Sequence, residues 1–216
     1  PLQVAEESDQ PLLSTATAKT RQDFGLTDQH HLYLCPQALP KFHPDFDLVL
    51  ASILERDSQG QIVFLEGHYP HWTELLRQRF FHTIPKVINR LHFLPRQQLA
   101  NCLNLADVML DTFYWGGTIT TYYALSMGTP VVALSSPFLE RQFAYTYYQE
   151  MGLLECVANN PQDYVDIALR LGMDSSYRRQ IKAQLLATNR QAVSKDKSAI
   201  RELEQFLITV TNDKDR

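Results

Sequence analysis

The sequence predicts an α/β fold, a Rossmann-like doubly wound parallel sheet with extra helices at its C-terminal end. Apolar runs of strand length alternate with segments whose apolar residues recur at helical spacing, an order typical of parallel sheets with right-handed crossovers. One apolar run leads into a glycine pair and the start of a helix within residues 111–130. The chain has 216 residues, of which 44% are hydrophobic and 20% charged. It is therefore long enough and apolar enough to bury a substantial core.

Apolar runs bounded by prolines or turn residues are the predicted strands. Pro36 and Pro95 end two of them, and the turn residues at 57–60 precede another. The predicted strands cover residues 31–35, 61–66, 90–94, 108–110, 130–134 and 153–158.

Segments with apolar residues three and four positions apart are the predicted helices. Pro44 suits the first turn of one helix, and Gly152 suits the position just after another. The predicted helices cover residues 44–54, 72–81, 97–105, 118–127, 138–151, 161–171, 175–192 and 196–210. We expect the final run of helices to pack on one side of the sheet.

Charge and hydropathy exclude two classes of protein. The net charge of -4 argues against a dedicated nucleic-acid binder. No apolar run approaches the roughly 20 residues that cross a bilayer, and no signal-peptide pattern is present. The three cysteines are widely spaced and lie in or beside apolar segments, which predicts buried free thiols and a cytoplasmic location. Because the chain begins at Pro1, we expect a fragment or a processed product.

A metal site is not predicted. His68 and His71 have ligand-like spacing, but Pro70 disfavours a helix that carries both imidazoles on one face. No third ligand accompanies them.

The segment around Gly116 and Gly117 is the candidate binding site. Two glycines let backbone N–H groups approach a ligand closely, and a helix N-terminus behind them favours an anion. Thr118, Thr120 and Thr121 add hydroxyl groups at the same end. The pattern is typical of a phosphate pocket at the carboxyl end of a parallel strand, although a strand, glycine turn and helix also occur in α/β domains without one.

Six segments in order resemble the C-terminal catalytic half of the O-GlcNAc transferase family. The similarity is greater to bacterial relatives that carry tetratricopeptide repeats, and it covers about residues 22 to 192. The segments are YLCPQ at 33–37, KFHPDFD at 41–47, FLP at 93–95, ADVMLDT at 106–112, ALSMGTPVV at 124–132 and MGLLECVA at 151–158.

The resemblance implies one half of an inverting GT-B glycosyltransferase, with the second Rossmann-like half outside this chain. Family members transfer a sugar, GlcNAc or another hexose, from a UDP-sugar to protein side chains. UDP-sugar and a protein acceptor are therefore the expected partners, without a further cofactor or metal. The expected division is a linker or upstream segment at 1–22, the nucleotide-sugar-binding domain at 23–192 and a helical extension at 193–216. This chain alone is expected to be inactive.

The family's site residues map onto this chain position by position. The phosphate-binding lysine falls on Lys41, with Gln37 just ahead of it. A metal-free site needs cationic and N–H donors to stabilise the leaving diphosphate, which gives Lys41 a catalytic role. The nucleobase contacts fall on Leu94, through its backbone, and on Arg96. The phosphate-binding turn falls on Gly116, Gly117, Thr118, Ile119 and Thr120. Without the resemblance, the sequence favours a solvated loop lysine at position 41, and Arg96 could equally be the exposed first residue of the next helix.

Two positions depart from the family pattern. Tyr123 stands where the family usually has an acidic residue that binds the ribose hydroxyls, and Gln142 stands where an arginine is common, although Arg141 is adjacent. A tyrosine hydroxyl accepts fewer hydrogen bonds than a carboxylate. Two alternatives therefore remain. The chain is a degenerate, non-catalytic interaction module, or it belongs to another GT-B enzyme such as an epimerase, which the order of the matched segments disfavours.

Overall fold

A parallel six-stranded sheet lies at the centre of the computed structural model, which describes residues 18–136, 143–192 and 198–212. The strand order is β3-β2-β1-β4-β5-β6. The strands are β1 (His31–Cys35), β2 (Gly60–Leu65), β3 (Leu91–Leu94), β4 (Val108–Leu110), β5 (Val131–Leu134) and β6 (Val157–Ala158).

Helices connect the strands and follow the last of them. They are α1 (Asp45–Arg56), α2 (Pro70–Thr83), α3 (Leu99–Leu105), α4 (Ile119–Ser126), α5 (Phe143–Met151), α6 (Pro161–Met173), α7 (Ser175–Ala192) and α8 (Ser198–Asn212). Short 3-10 turns cover Gln22–Phe24, Leu39–Lys41, Pro85–Arg90, Arg96–Gln98 and Leu154–Cys156.

The central strands are buried on both faces because helices cover the sheet on both sides. Every residue of β2 and β4 is buried, as is every residue of β1 after His31. Strands of this kind read as continuous apolar runs and not as alternating ones. From β1 the chain builds outward to β3 and then returns to place β4 beside β1. This reversal confirms the doubly wound Rossmann-like fold.

Helices α6 and α7 lie on opposite faces of the sheet, so the expectation that the final helices pack on one side is wrong for these two. Helix α6 contacts α1 and also β1, β4 and β5, whereas α7 contacts α4 and α5. The crossing occurs at Asp174, whose carboxylate accepts the backbone N–H groups of Ser176 and Tyr177 and so caps the start of α7. Because α6 ends immediately before this residue, the chain changes faces within one turn.

Two ion pairs at Asp107 fasten α7 and the segment before β1 to the amino edge of the sheet. The Asp107 carboxylate lies 2.9 Å from both Arg21 and Arg178 and accepts the backbone N–H of Leu32 at 2.8 Å. Arg21 also donates to the backbone carbonyl of Leu105 at 2.9 Å. Such bonds satisfy a carboxylate that would otherwise be costly to bury. Residues just before β1 therefore contact the domain, although the predicted domain boundaries remain predictions.

The predicted strands all form, and most bounds shift by a residue or two. β1 and β4 have the predicted ends, and the helix predicted at 118–127 begins at Ile119. In the segment 153–158, three residues form a 3-10 turn and only two lie in β6. The start of the helix predicted at 138–151 lies partly outside the described residues. Cys35, Cys102 and Cys156 are buried and free, as predicted. Within the described ranges, no helix combines the length and apolar character needed to cross a membrane.

Gly172→Ala should destabilise the protein, because a Cβ at Gly172 would collide with the hydroxyl of the fully buried Tyr33 and lie 2.6 Å from its Cζ. Overpacking of this kind costs about 1–3 kcal/mol. Urea denaturation measures the free energy of unfolding. The control is Met173→Ala, since Met173 is about half exposed and its replacement should cost about 0.5 kcal/mol or less. Equal losses for the two variants would contradict this packing.

Candidate functional site

A crevice opens at the carboxyl ends of β1 and β4, where the strand order reverses. In open α/β sheets, ligands bind at this switch point, because the loops leaving the two strands diverge toward opposite faces. The loop after β1 contains Gln37 and Lys41, and the loop after β4 contains Asp111, Gly116 and Gly117. The structure thus brings together the two segments that supply most of the predicted site residues.

Two side chains of the β1 loop reach across to the β4 loop. Gln37 is buried, and its Nε2 donates to the Leu110 carbonyl at 3.0 Å and to Asp111 Oδ1 at 3.1 Å. Lys41 lies in the 3-10 turn Leu39–Lys41, and its Nζ donates to the Gly116 carbonyl at 2.9 Å. Residues that are far apart in sequence therefore form one polar cluster.

The turn requires glycine at positions 116 and 117, because neighbouring side-chain atoms lie too close to leave room for a Cβ. A Cβ at Gly116 would lie 2.7 Å from Asp111 Oδ2, and a Cβ at Gly117 would lie 2.5 Å from Thr120 Oγ1. Real Cβ atoms do not approach other atoms this closely, so a larger residue would displace the turn. The turn is compact because these positions carry no side chain.

Asp111 is the buried centre of the turn. Its Oδ1 accepts the Gly117 N–H at 2.7 Å as well as the Gln37 amide. Burial raises the pKa of Asp111 to about 6, an effect opposed by the hydrogen bonds from Gly117, Gln37 and the Thr112 N–H and by the charge of Lys41. The carboxylate is therefore held in place but is costly to ionise.

The amino terminus of α4 faces the crevice behind the turn. Thr118 occupies the N-cap position, yet its side chain makes no capping hydrogen bond. The first amides of α4 therefore have no partner from this cap, and the helix dipole favours an anion beside them. Thr118 and Thr120 are half-buried and Ile119 is exposed.

The structure places Thr121 differently from its predicted role as a ligand contact. Its side chain is fully buried, and its hydroxyl donates to the Gly117 carbonyl at 2.8 Å. This hydrogen bond supports the turn from within, so we do not include Thr121 among the groups that face a ligand.

Lys41 supplies the positive charge of the crevice. Partial burial lowers the pKa of Lys41, while the negative charge of Asp111 opposes this effect. Its Nζ lies 5.9 Å from the centre of the exposed Trp115 ring. An ammonium carries three N–H donors, and the Gly116 carbonyl takes one of them. The cluster thus combines a cation with backbone N–H donors, a chemistry suited to a phosphate.

The remaining predicted residues lie along the same edge of the sheet or on α4. Leu94 ends β3, and its carbonyl accepts the Glu66 N–H at 2.8 Å, while Arg96 is exposed at the start of the next 3-10 turn. β3 is separated from β1 by one strand. Tyr123 is half-buried on α4, with its ring 5.6 Å from that of Tyr122. Arg141 and Gln142 lie outside the described residues.

A cavity of about 450 Å³ lies beside the turn and not over it. Its walls come from α1, α6 and the residues after β4, and they are mostly apolar. The lining residues are Asp45, Leu48, Val49, Ser52, Phe113, Tyr114, Leu134, Pro161, Gln162 and Val165. The polar cluster of the crevice lies outside this cavity, at an open edge bordered by the exposed Trp115 and Ile119. In the described part of the chain, no three His, Cys, Asp or Glu side chains cluster so as to hold a metal ion.

Sequence reasoning missed the role of Asp111. The residue follows β4 directly and precedes the glycine pair by five positions, so its location at the strand end was visible. Its burial beneath the turn depends on the contact between the β1 and β4 loops, which no local pattern reveals.

The model of glycosyl transferase family 41 matches residues 3–200 of the chain. A probable UDP-N-acetylglucosamine–peptide N-acetylglucosaminyltransferase, SPINDLY of Eustoma exaltatum, is 30% identical over 143 residues, which cover 63% of this chain and 15% of that protein. The UDP-N-acetylglucosamine–peptide N-acetylglucosaminyltransferase of Caenorhabditis elegans is 37% identical over 81 residues, covering 38% of this chain and 7% of that protein. The chain thus spans a small part of these curated relatives.

Solved structures show the same fold. A mutant O-GlcNAc transferase of Thermobaculum terrenum superposes with a TM-score of 0.73 and 26% identity, covering 84% of this chain and 36% of that one. Anabaena HepE, solved with UDP and glucose, gives a TM-score of 0.62 at 16% identity, covering 89% of this chain and 51% of that one. The second likeness concerns the fold alone.

The pKa of Asp111 predicts how its contribution to stability changes with pH. The folded-state pKa of about 6 lies above the unfolded value of about 3.9, so the folded state holds more protons between these pH values. Stability contributed by this group is therefore present at low pH and lost as pH rises through 6. Relative to Asp111→Asn, the natural protein should lose on the order of 2–3 kcal/mol of unfolding free energy between pH 4 and 7. A difference that is flat or rises with pH, measured by chemical denaturation, would contradict the burial of this carboxylate.

Proposed function

The chain belongs to glycosyl transferase family 41, and from this premise we propose that it is the UDP-sugar-binding half of an inverting glycosyltransferase. The donor is a UDP-sugar carrying GlcNAc or another hexose, and the acceptor is a protein side chain. The names of the curated relatives support this choice, since they describe UDP-N-acetylglucosamine–peptide transferases. The chain covers only 36% of the Thermobaculum enzyme, so the activity of the whole protein is part of the proposal.

The position of Lys41 at the glycine turn is the observation that carries the proposal. Its Nζ donates a hydrogen bond to the Gly116 carbonyl, beside the amino terminus of α4, where the N-cap side chain makes no capping hydrogen bond. A cation and a helix N-terminus at one point suit the diphosphate of UDP, whose negative charge grows as the sugar leaves. Lys41 therefore stabilises the leaving group in our proposal.

The rest of the nucleotide is assigned to neighbouring groups along the sheet edge. The amides of the turn and of Ile119 and Thr120 complete the phosphate site. Gln37 ties the β1 loop to the turn from beneath, because its Nε2 donates to Leu110 and Asp111. The backbone of Leu94 and the side chain of Arg96 face the uracil, and Tyr123 on α4 takes the ribose position. The order of these groups follows the carboxyl edge of the sheet from β3 to β4.

A non-catalytic interaction module is the second candidate, and Tyr123 is the observation that favours it. A neutral phenol stands where the family usually has a carboxylate, and its ring packs partly against the core. Replacing a charged acceptor of a ribose diol is expected to cost about 1.5–3 kcal/mol. The affinity of the chain for UDP decides between the two candidates, because only a functioning donor site should bind it.

Further partners and the cellular location belong to the same proposal. We expect a second Rossmann-like half to close the crevice, tetratricopeptide repeats in the whole protein to recruit the acceptor, and a cytoplasmic location. The open edge at Lys41 supports the first of these, because water has direct access to a site where closed walls would strengthen electrostatic interactions.

Lys41→Ala should weaken UDP binding roughly tenfold, the order of one lost hydrogen bond to a charged group. Uridine affinity should barely change, because the lysine is assigned to the diphosphate. Isothermal titration calorimetry with both ligands measures the two effects. Lys86→Ala is the matched control, since Lys86 is exposed in the 3-10 turn Pro85–Arg90. Equal losses for UDP and uridine would refute the phosphate assignment.

Tyr123→Glu should tighten UDP binding if Tyr123 occupies the ribose position, because a carboxylate accepts hydrogen bonds from both ribose hydroxyls. The gain should be absent with 2′,3′-dideoxy-UDP. Tyr122→Glu places the same charge one residue away on α4 and serves as the control. No gain specific to the hydroxyls would show that Tyr123 does not face the ribose.

The purified chain should transfer no sugar by itself. Orientation of bound reactants supplies up to about 7–11 kcal/mol of an enzyme's barrier reduction, and the open edge lacks the opposing wall that would provide it. Incubation with radiolabelled UDP-sugars and a bacterial lysate should therefore label no protein. Reproducible labelling that disappears in Lys41→Ala would contradict the half-site proposal.

A further inference from the structure

We propose that Asp111 is a positioning residue of the diphosphate site, holding the glycine turn and the Gln37 amide in place from beneath. This inference rests on the proposed function, because it explains how that site is built. Asp111 acts through its neighbours, since its side chain is buried and does not face the open edge.

The first observation is the position of the carboxylate under the turn. Asp111 is only 3% exposed, and its Oδ1 accepts the Gly117 N–H at 2.7 Å. Its Oδ2 fills the space that a side chain at Gly116 would need. The opposite side of the turn carries the exposed side chains of Trp115 and Ile119. The carboxylate therefore supports the buried side of the turn, and a ligand approaches from the other side.

The second observation concerns the orientation of Gln37. Its Nε2 donates to Asp111 Oδ1 and to the Leu110 carbonyl, while its Oε1 is buried without a hydrogen-bond partner among the described residues. Exchanging the two ends of the amide would place its oxygen against a carboxylate and a carbonyl, which repel it. The negative charge of Asp111 thus fixes the amide in one orientation, at the cost of an unsatisfied oxygen.

The third observation is the charge balance around Lys41. Burial lowers the pKa of Lys41, and the negative charge of Asp111 raises it. The other titratable side chains that face Asp111 are Cys35 of β1, Tyr148 of α5 and Tyr164 of α6, and burial raises the pKa of each. These three therefore stay neutral near pH 7, and Lys41 is the cation whose charge opposes that of Asp111.

Asp111 has two opposite effects on a diphosphate, and the geometry decides between them. A nearby negative charge repels the ligand, so its removal would tighten binding. Its removal also frees the turn and the Gln37 amide, which weakens binding. Because the carboxylate lies beneath the turn with its Oδ1 already bonded, the second effect dominates in our proposal.

The test compares UDP affinity of the natural chain and Asp111→Asn from pH 5 to 8.5. Asparagine mimics the protonated acid, so the variant should bind roughly tenfold more weakly at pH 8, the order of one charge-assisted hydrogen bond. The two affinities should converge as pH falls below about 6, where Asp111 itself becomes protonated. Protonation of UDP affects both proteins equally and cancels in the ratio.

Asp107→Asn is the matched control, because Asp107 is also buried, accepts a backbone N–H and lies at the other end of β4. It should lower stability without a pH-dependent effect on UDP affinity. A ratio between the natural chain and Asp111→Asn that does not change with pH would show a merely structural role and overturn the proposal. Tighter binding by Asp111→Asn at pH 8 would overturn it as well.

A second readout does not need UDP. The ¹⁵N shift of the Gly117 amide should titrate with a midpoint near pH 6 in the natural chain and should be flat in Asp111→Asn. If the Gly117 shift does not change with pH in either protein, Asp111 does not position the turn through this amide. If Gly117 titrates but UDP binds to neither protein, the proposed function fails, and with it the role of Asp111 in binding, while its contact with the turn stands.

Discussion

The hydrogen bond between the Asp111 carboxylate and the Gly117 amide is the interaction on which the crevice depends. It bends the chain back at the end of β4 and places the amino terminus of α4 beside the loop that leaves β1. Gln37 and Lys41 then reach the turn because β1 and β4 are neighbours in the sheet. The strand order and one buried carboxylate together assemble a site from residues more than 70 positions apart.

Two buried carboxylates at opposite ends of β4 have different partners. Asp107 at the amino end forms ion pairs with Arg21 and Arg178. These pairs connect the sheet to α7 and to the segment before β1. Asp111 at the carboxyl end accepts hydrogen bonds from the Gln37 side chain and the Gly117 N–H, whereas the nearby Lys41 donates to the Gly116 carbonyl instead. Burial raises the pKa of Asp111. The two arginines compensate the negative charge of Asp107, whereas the partners of Asp111 leave its charged form unfavourable in the buried site. A costly buried charge is consistent with the binding role that we propose for this end of β4, since local rules of stability are commonly broken at functional sites.

The sequence predicted the fold well because periodic apolar patterns and proline or glycine boundaries are local signals. β1 and β4 have the predicted ends, and the glycine pair marks the turn. The crossing of the chain at Asp174 was not predicted, because the faces of α6 and α7 depend on tertiary contacts. For the site, the resemblance supplied Lys41 and the turn, but the inward position of Thr121 and the role of Asp111 needed the packing of two loops. Residue type and spacing alone do not show which side of a turn a hydroxyl or carboxylate occupies.

We propose that this chain binds the diphosphate of UDP at the switch point between β1 and β4. A crystal structure of the chain grown with UDP tests it most directly. We expect phosphate oxygens within hydrogen-bond distance of Lys41 Nζ and the first amides of α4, with the uracil extending toward the end of β3. UDP bound instead in the apolar cavity between α1 and α6, or a crevice that stays empty at saturating UDP, would contradict it.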